Sequence, residues 1–275
     1  MQMRKSPTIY CQFRAYQLNI RHQVPGDKCW PSEKTWDAFS DVIDGRLVKT
    51  EPVAQSCYGK DKDLEQCAVV NKMWSDQDFQ TTKPIGRAYP YNITCAPVDY
   101  DSGAEPTSCI LGSLPIYAVN VTKKEHIHES LKFAREHNIR LAISGTGHDL
   151  LGRGDGFGSL EIWLRHYRNS IDFQEEFESV SNCRKSGWKG SAIKIDGVWQ
   201  WRDVYKTAKA NGVIAVGGGS TGPGAIGGCK SRCESQFHHR ITNSMYRGFW
   251  WWPRTSDSKL RSRRRPDPRG RSHAR

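Results

Sequence analysis

The chain has 275 residues, room for one large domain or two small ones, and no apolar run of about 18 residues that would suggest a membrane span. Its net charge of +12 would point to nucleic acid or an anionic surface if it belonged to the fold. It does not: residues 229–275 hold 13 of the 41 Lys and Arg but only 3 of the 29 Asp and Glu, which leaves residues 1–228 with 28 basic and 26 acidic groups.

In chain order, residues 1–24 are a doubtful N-terminus, polar at the start and without the apolar centre of a signal peptide. Residues 25–112 form a cysteine-bearing segment with Cys29, Cys57, Cys67, Cys95 and Cys109. None of these has C-x-x-C spacing, so disulfides are expected rather than zinc, and with them an oxidising compartment. Five is an odd number, so one partner is missing or is Cys11. The sequons at Asn92 and Asn120 agree with secretion. Within this segment a helix is predicted over 32–43, with Trp36, Phe39 and Ile43 on one face, followed by loops. Trp30 and Trp36 read as packing residues.

A strand is predicted over 116–122. Thr122-Lys-Lys-Glu125 then reads as a capping box opening a helix in which Ile127, Leu131 and Ala134 recur at helical spacing. His126 and His128 fall on different faces of that helix, which argues against a shared metal. A strand at 139–143 completes a β-α-β unit. Further strands are expected at 159–163, 191–195 and 213–216. A helix over 200–210 turns Trp201, Val204, Tyr205 and Ala208 inward, and Gly212 stops it.

Two glycine-rich loops carry the chemistry. The first, residues 144–155, sets His148 among Gly145, Gly147 and Gly152 directly after a strand. Without a Cβ, glycines let backbone N–H groups approach an anion, and a histidine held there can act as a nucleophile. The plain alternative is a surface turn with a solvated histidine. The second loop, residues 217–228, contains Gly217-x-Gly219-x-x-Gly222, the spacing of a dinucleotide fingerprint. That fingerprint must open a helix, and Pro223, Gly224, Gly227 and Gly228 forbid one. Rossmann-type binding is therefore rejected.

LPIYAVNVT (114–122), GTGHDLLGR (145–153), GSLEIW (158–163), GSAIKI (190–195), WRDVY (201–205) and VGGGS (216–220) occur in this order. Together they resemble the FAD-linked oxidases of the vanillyl-alcohol-oxidase (PCMH-type) superfamily, in the berberine-bridge-enzyme-like branch found in fungi. The resemblance covers residues 25–228. It implies an α+β fold: the first subdomain of a PCMH-type FAD-binding domain and the start of the second, over 113–228 and incomplete. His148 would then bond covalently to the flavin 8α-methyl. Ser144, Gly145, Thr146, Gly147, Asp149 and Gly152 would cradle FAD. Gly217, Gly218, Gly219, Ser220, Gly224, Gly227 and Gly228 would make a second contact. Some relatives attach the flavin a second time through a cysteine here, but residues 213–228 contain none. The implied reaction is oxidation of an alcohol, sugar or related small molecule, with oxygen as acceptor, in a secreted protein. The resemblance places the substrate domain and catalytic base beyond this sequence. An inactive FAD-binding fragment is therefore the alternative, and a basic nucleic-acid-binding protein a weaker one.

After Gly228 the resemblance stops, where the family continues with an aromatic residue, two variable ones and Gly-Gly-Gly-His. Tryptophan has a single codon, so Trp250-Trp-Trp252 read one base later is forced to give Gly-Gly-Gly when Pro253 follows. Codons permitted for Cys229 to Ser231 contain a consensus splice donor, and those for Tyr246-Arg247 an acceptor. Removing the bases between them, 17 codons plus four bases or about 55, restores the family's frame. Residues 229–247 thus read as translated intron and 248–275 as a frameshifted, aberrant basic tail, expected to be disordered. On this reading Cys229, Cys233, His238 and His239 are no metal site, and Arg261–Arg265 is no nucleic-acid patch. Sequencing the transcript across codons 225–255 should find a major product lacking those bases; transcripts that uniformly retain them contradict the expectation.

Overall fold

A computed structural model describes residues 22–89, 93–178 and 189–226 of the chain. Residues 1–21, Asn92, Gly227, Gly228 and the tail expected to be disordered lie outside the described residues.

The first helix, α1 (Glu33–Val42), starts where the hydroxyl of Ser32 accepts the N–H of Thr35 at 3.3 Å. That satisfies one of the donors a helix leaves free at its N-terminus. Trp36, Phe39 and Ile43 are all buried, as their spacing predicts. A short strand, β1 (Leu47–Lys49), follows, and then the cysteine-bearing loops. These are not wholly irregular: α2 (Leu64–Met73) and α3 (Gln77–Thr81) interrupt them. Both helices were missed in the sequence, although each begins on an aspartate, Asp63 or Asp76, whose carboxylate caps an N–H three residues on. Cys57–Cys67 and Cys95–Cys109 are disulfides around a small core of Ala54, Val70 and Val98, and Cys29 is disulfide-bonded as well. Each loop closure contributes about 3 kcal/mol by restricting the unfolded chain.

The central sheet has the order β1-β2-β4-β3. Here β2 is Tyr117–Asn120, β3 Leu141–Ser144 and β4 Leu160–Trp163. β1 runs antiparallel to β2, while β2, β4 and β3 are mutually parallel. The crossover from β2 to β3 is α4 (Lys124–Glu136), so the β-α-β unit forms with β4 inserted between its strands. One sheet face, carrying Val119, Leu160 and Ile162, packs against α1 and α4. Phe39 stacks on Phe133 at 4.1 Å and Trp36 on Tyr117 at 4.2 Å between ring centroids.

α4 corrects two expectations. The capping box does not form: Lys123, not Thr122, is the N-cap residue and makes no side-chain cap bond. The N–H of Thr122 instead donates to Nδ1 of His126 at 3.3 Å, and Nε2 of His126 lies 2.9 Å from Asp44. The buried face is also rotated. His126, Ser130, Phe133 and Ala134 point inward, whereas Leu131 is 47% exposed.

The second layer pairs β5 (Arg168–Glu178) antiparallel with β6 (Lys189–Gly197), with α5 (Trp201–Ala210) packed against them. β5 was missed in the sequence, although Ile171 and Phe173 alternate with polar residues. The expected strand at 213–216 is not formed. Val213 and Ala215 reach the core of Ile193, Trp201 and Val204, but the segment has no ladder partner among the described residues and Ile214 is 69% exposed. Gly212, at φ +67°, ends α5 in the left-handed conformation expected of it.

Phe39→Ala should lower the unfolding free energy by about 3–5 kcal/mol in urea titrations, since it empties a stacked core position. Leu131→Ala should change it by less than about 1 kcal/mol. A large loss at Leu131 would contradict the rotated face of α4.

Candidate functional site

Because β2, β3 and β4 are parallel, their C-terminal ends lie at one edge of the sheet, where open α/β sheets bind ligands. The histidine loop leaves this edge directly after Ser144. The N–H of Leu164 donates to the carbonyl of Ser144 at 2.8 Å, which sets Arg165, just past β4, beside the loop.

The loop's shape needs its glycines. Gly147 has φ +74°, and a Cβ there would stand 2.7 Å from Thr81 and 3.0 Å from the carbonyl of Gly86. Gly152 has φ +64° and begins a turn closed by the N–H of Asp155. Asp149 clasps the loop from inside: it accepts the backbone N–H of Arg153 at 2.7 Å and pairs with the guanidinium of the same residue. This pairing holds the Asp149 carboxyl below its ordinary range. Thr146 and Ser144 are buried, and the Ser144 hydroxyl lies beside the Glu161 carboxyl of β4.

His148 is held by the loop's own backbone. Its Nδ1 lies 2.8 Å from the carbonyl of Thr146. Burial pushes its pKa below the ordinary value, against the pull of that carbonyl, with Arg165 and Arg202 pushing the same way as burial and Asp78 opposing. The ring is therefore neutral at pH 7. A carbonyl can only accept, so the proton sits on Nδ1, and Nε2 carries a free lone pair. Nε2 is buried with no hydrogen-bond partner among the described residues. It faces Gly222, where a Cβ would come within 2.4 Å.

That contact joins the two glycine loops. Gly224 lies over Thr146, at 3.5 Å for a Cβ built there, and forms a bridge with Gln200. Gly217 and Gly218 pack on the Trp201 indole at distances only glycine allows, and Tyr205 donates to the carbonyl of Gly218 at 2.5 Å. A Cβ at Gly219 would meet open space, and Ser220 is exposed. Gly145 lies against Val198.

Several residues around the loop escaped the sequence reading. Arg202 of α5 holds Asp78 of α3 through two bonds of 2.6 and 2.7 Å, linking the cysteine-bearing segment to the second layer near His148. Arg165 has a buried Nη1 without a partner among the described residues, and burial holds its pKa below the ordinary range. Arg87 grips the loop from beneath. For Arg165 alone the sequence held a signal, its place just past a strand that points at the site. On its outer side the loop borders a pocket lined by Trp74, Ile85, Arg87, Tyr89 and Asp155.

The chain is similar to known FAD-linked proteins. A family model described as an FAD binding domain matches residues 115–247. FAD-linked oxidoreductase hmp9 of Hypomyces subiculosus is 56% identical over 209 residues, which cover 76% of this chain and 33% of that protein. FAD-linked oxidoreductase apf9 of Gibberella fujikuroi is 43% identical, over 74% of this chain and 34% of its own length. The crystal structure of the VAO-type flavoprotein MtVAO713 from Myceliophthora thermophila C1 superposes with a TM-score of 0.73 at 63% identity, over 76% of this chain and 37% of that one. The chain thus spans about a third of the length of the curated relatives it matches.

Gly222→Ala should drive His148 from its place. In NMR titrations the imidazole midpoint of the native protein should lie below about 6.5 and shift upward in the variant as the ring meets water. Because the folded histidine resists protonation, stability should fall as pH drops below about 6.5 in the native protein, and less so in the variant. An unchanged midpoint would contradict the placement.

Proposed function

Because the chain belongs to the VAO-type FAD-linked oxidoreductases, we propose that the 144–153 loop holds its FAD and that His148 ties the flavin covalently. The observation that carries this reading is the buried, unpartnered Nε2 of a neutral imidazole, fixed by Thr146 and aimed at glycine. The residues present fit the cofactor. Gly147 and Gly152 give a backbone that a diphosphate can approach, and Arg165 and Arg202 bring positive charge to the same edge. Ser144, Gly145, Thr146 and Asp149 complete the first contact. Gly217 to Ser220 and Gly224 would make the second.

When bound, the flavin supplies the redox chemistry. The protein's part is position and charge. Thr146 keeps the His148 lone pair on Nε2, and burial keeps protons from competing for it. His148 would be the residue that holds the flavin, and the flavin would supply the two-electron chemistry toward oxygen. We read the complete reaction as oxidation of a small alcohol, sugar or related carbon centre with oxygen as acceptor, as in the berberine-bridge-enzyme-like branch. The disulfides support secretion. A second reading is FAD binding without turnover; the matched residues span about a third of the relatives' length.

Added FAD should quench the protein's tryptophan fluorescence saturably, at one FAD per chain. Gly147→Ala should weaken that binding by about tenfold or more, since it strains a positive φ and meets Thr81. Peroxide released from an alcohol or sugar panel would then separate the oxidase from the non-catalytic reading. Absence of saturable quenching by a folded protein would contradict the proposal.

A further inference from the structure

An ion taken into a sheet interior loses hydration that a single partner rarely returns. β4 nevertheless carries Glu161 with no exposed surface, on the face opposite the aromatic core. Its register partners are Ala118 on β2 and Ala142 on β3, both buried. Two methyl side chains flanking a carboxyl leave space above it, and Arg87 occupies that space, with Nη2 3.2 Å from Oε1 of Glu161. The Arg87 charge is the larger favourable influence on the carboxyl, with hydrogen bonds from the Ser144 hydroxyl and from Arg87 behind it.

The guanidinium also donates elsewhere. Nε donates to Asp155 at 3.1 Å and Nη2 to the carbonyl of Gly154 at 2.8 Å. Nη1 donates to the carbonyls of Pro84 at 3.1 Å and Gly86 at 3.3 Å. It also lies against the Gly154 backbone, where a Cβ would stand 3.3 Å from Nη2. Ala88, the next residue, donates its N–H to the carbonyl of Gly147 at 2.9 Å, one residue before His148. Arg87 therefore joins three things: the sheet through Glu161, one end of the histidine loop through Gly154 and Asp155, and the other end through Ala88.

We propose that Arg87 is the positioning residue of the cofactor loop and that ionised Glu161 acts through it, holding the guanidinium against the sheet and the loop in its FAD-contacting shape. The inference rests on the reading of residues 144–153 as the FAD loop. The groups facing Glu161 are Arg87 from the turn before Ala88, Asp155 from the loop and the Ser144 hydroxyl from β3. Burial pushes the Glu161 carboxyl up to about 7; Arg87 opposes it, and the Asp155 charge adds to it. Protonated, Glu161 no longer holds Arg87, whose remaining charged partner is Asp155. FAD affinity should then fall as pH drops through about 7. Fold stability should move the other way. A carboxyl whose pKa is raised by folding stabilises fully below its unfolded value, and that contribution is lost as pH rises through about 7. A purely structural role would move binding and stability together.

The experiment is an FAD titration of the full chain between about pH 6 and pH 8, with thermal unfolding of the FAD-free proteins alongside. The native protein should bind about tenfold more tightly at the upper end. Glu161→Gln should remain folded, lose that pH dependence and bind at about the native protein's low-pH affinity. Arg87→Lys keeps the charge but not the fork, and should bind about tenfold more weakly at both ends. If Glu161→Gln binds FAD with native affinity and native pH dependence, the proposal is overturned while the FAD reading stands. If the folded native protein binds no FAD at any pH, both are overturned.

Discussion

The parallel pairing of β3 with β4 fixes where everything in the site can lie. Leu141 opposite Leu160 and Ser144 opposite Trp163 is a register that buries one face in the aromatic core and gathers the strand ends at one edge. A slip by one residue would turn Leu160 and Ile162 out of that core and bring Glu161 into it, at a cost no local contact could offset. The register is thus held by packing on one face. The other face, lined by Ala118, Ala142 and Glu161, is free to serve the loop. From that edge the chain must turn sharply, and Gly145, Gly147 and Gly152 make the turn possible.

What the loop does follows from excluding water from a few polar atoms. On the proposed reading His148 acts as the nucleophile, because one nitrogen is satisfied by Thr146 and the other has no partner among the described residues. In water both nitrogens would be solvated and a proton would compete at mildly acidic pH. The charges nearby are nearly balanced. Arg202 is paired with Asp78, and Arg87 with Asp155 and Glu161, whereas Arg165 keeps an unsatisfied donor in the interior. The named charges therefore cancel in sum, three arginines against three carboxylates, with the Arg165 donor left unmatched among the described residues.

The parts of this arrangement legible in the sequence are those that local chemistry forces. Glycine at a left-handed φ, a serine cap before α1 and an aromatic face at helical spacing each declare themselves within a few residues. The face of α4 does not. His126 and Ser130 are buried there because Asp44, far along the chain, supplies a partner, and a hydropathy pattern sees only that they are polar. The segment 213–216 misled for the converse reason: its apolar run is real, but a strand needs a neighbour, and none pairs with it among the described residues. Arg87 and Glu161 stand far apart in sequence, and only the fold makes them a pair. Resemblance supplied the cofactor, while the support beneath the loop belongs to three-dimensional packing alone.

The central claim is that His148 presents a neutral Nε2 to the flavin. Peptide mapping by mass spectrometry tests it most directly, on protein incubated with FAD in air, then denatured and digested. The account predicts flavin retained on the peptide that contains His148, and none retained when His148→Ala is treated alike. Flavin released entirely on denaturation from a protein that had bound it, or recovered on a different residue, would contradict the claim.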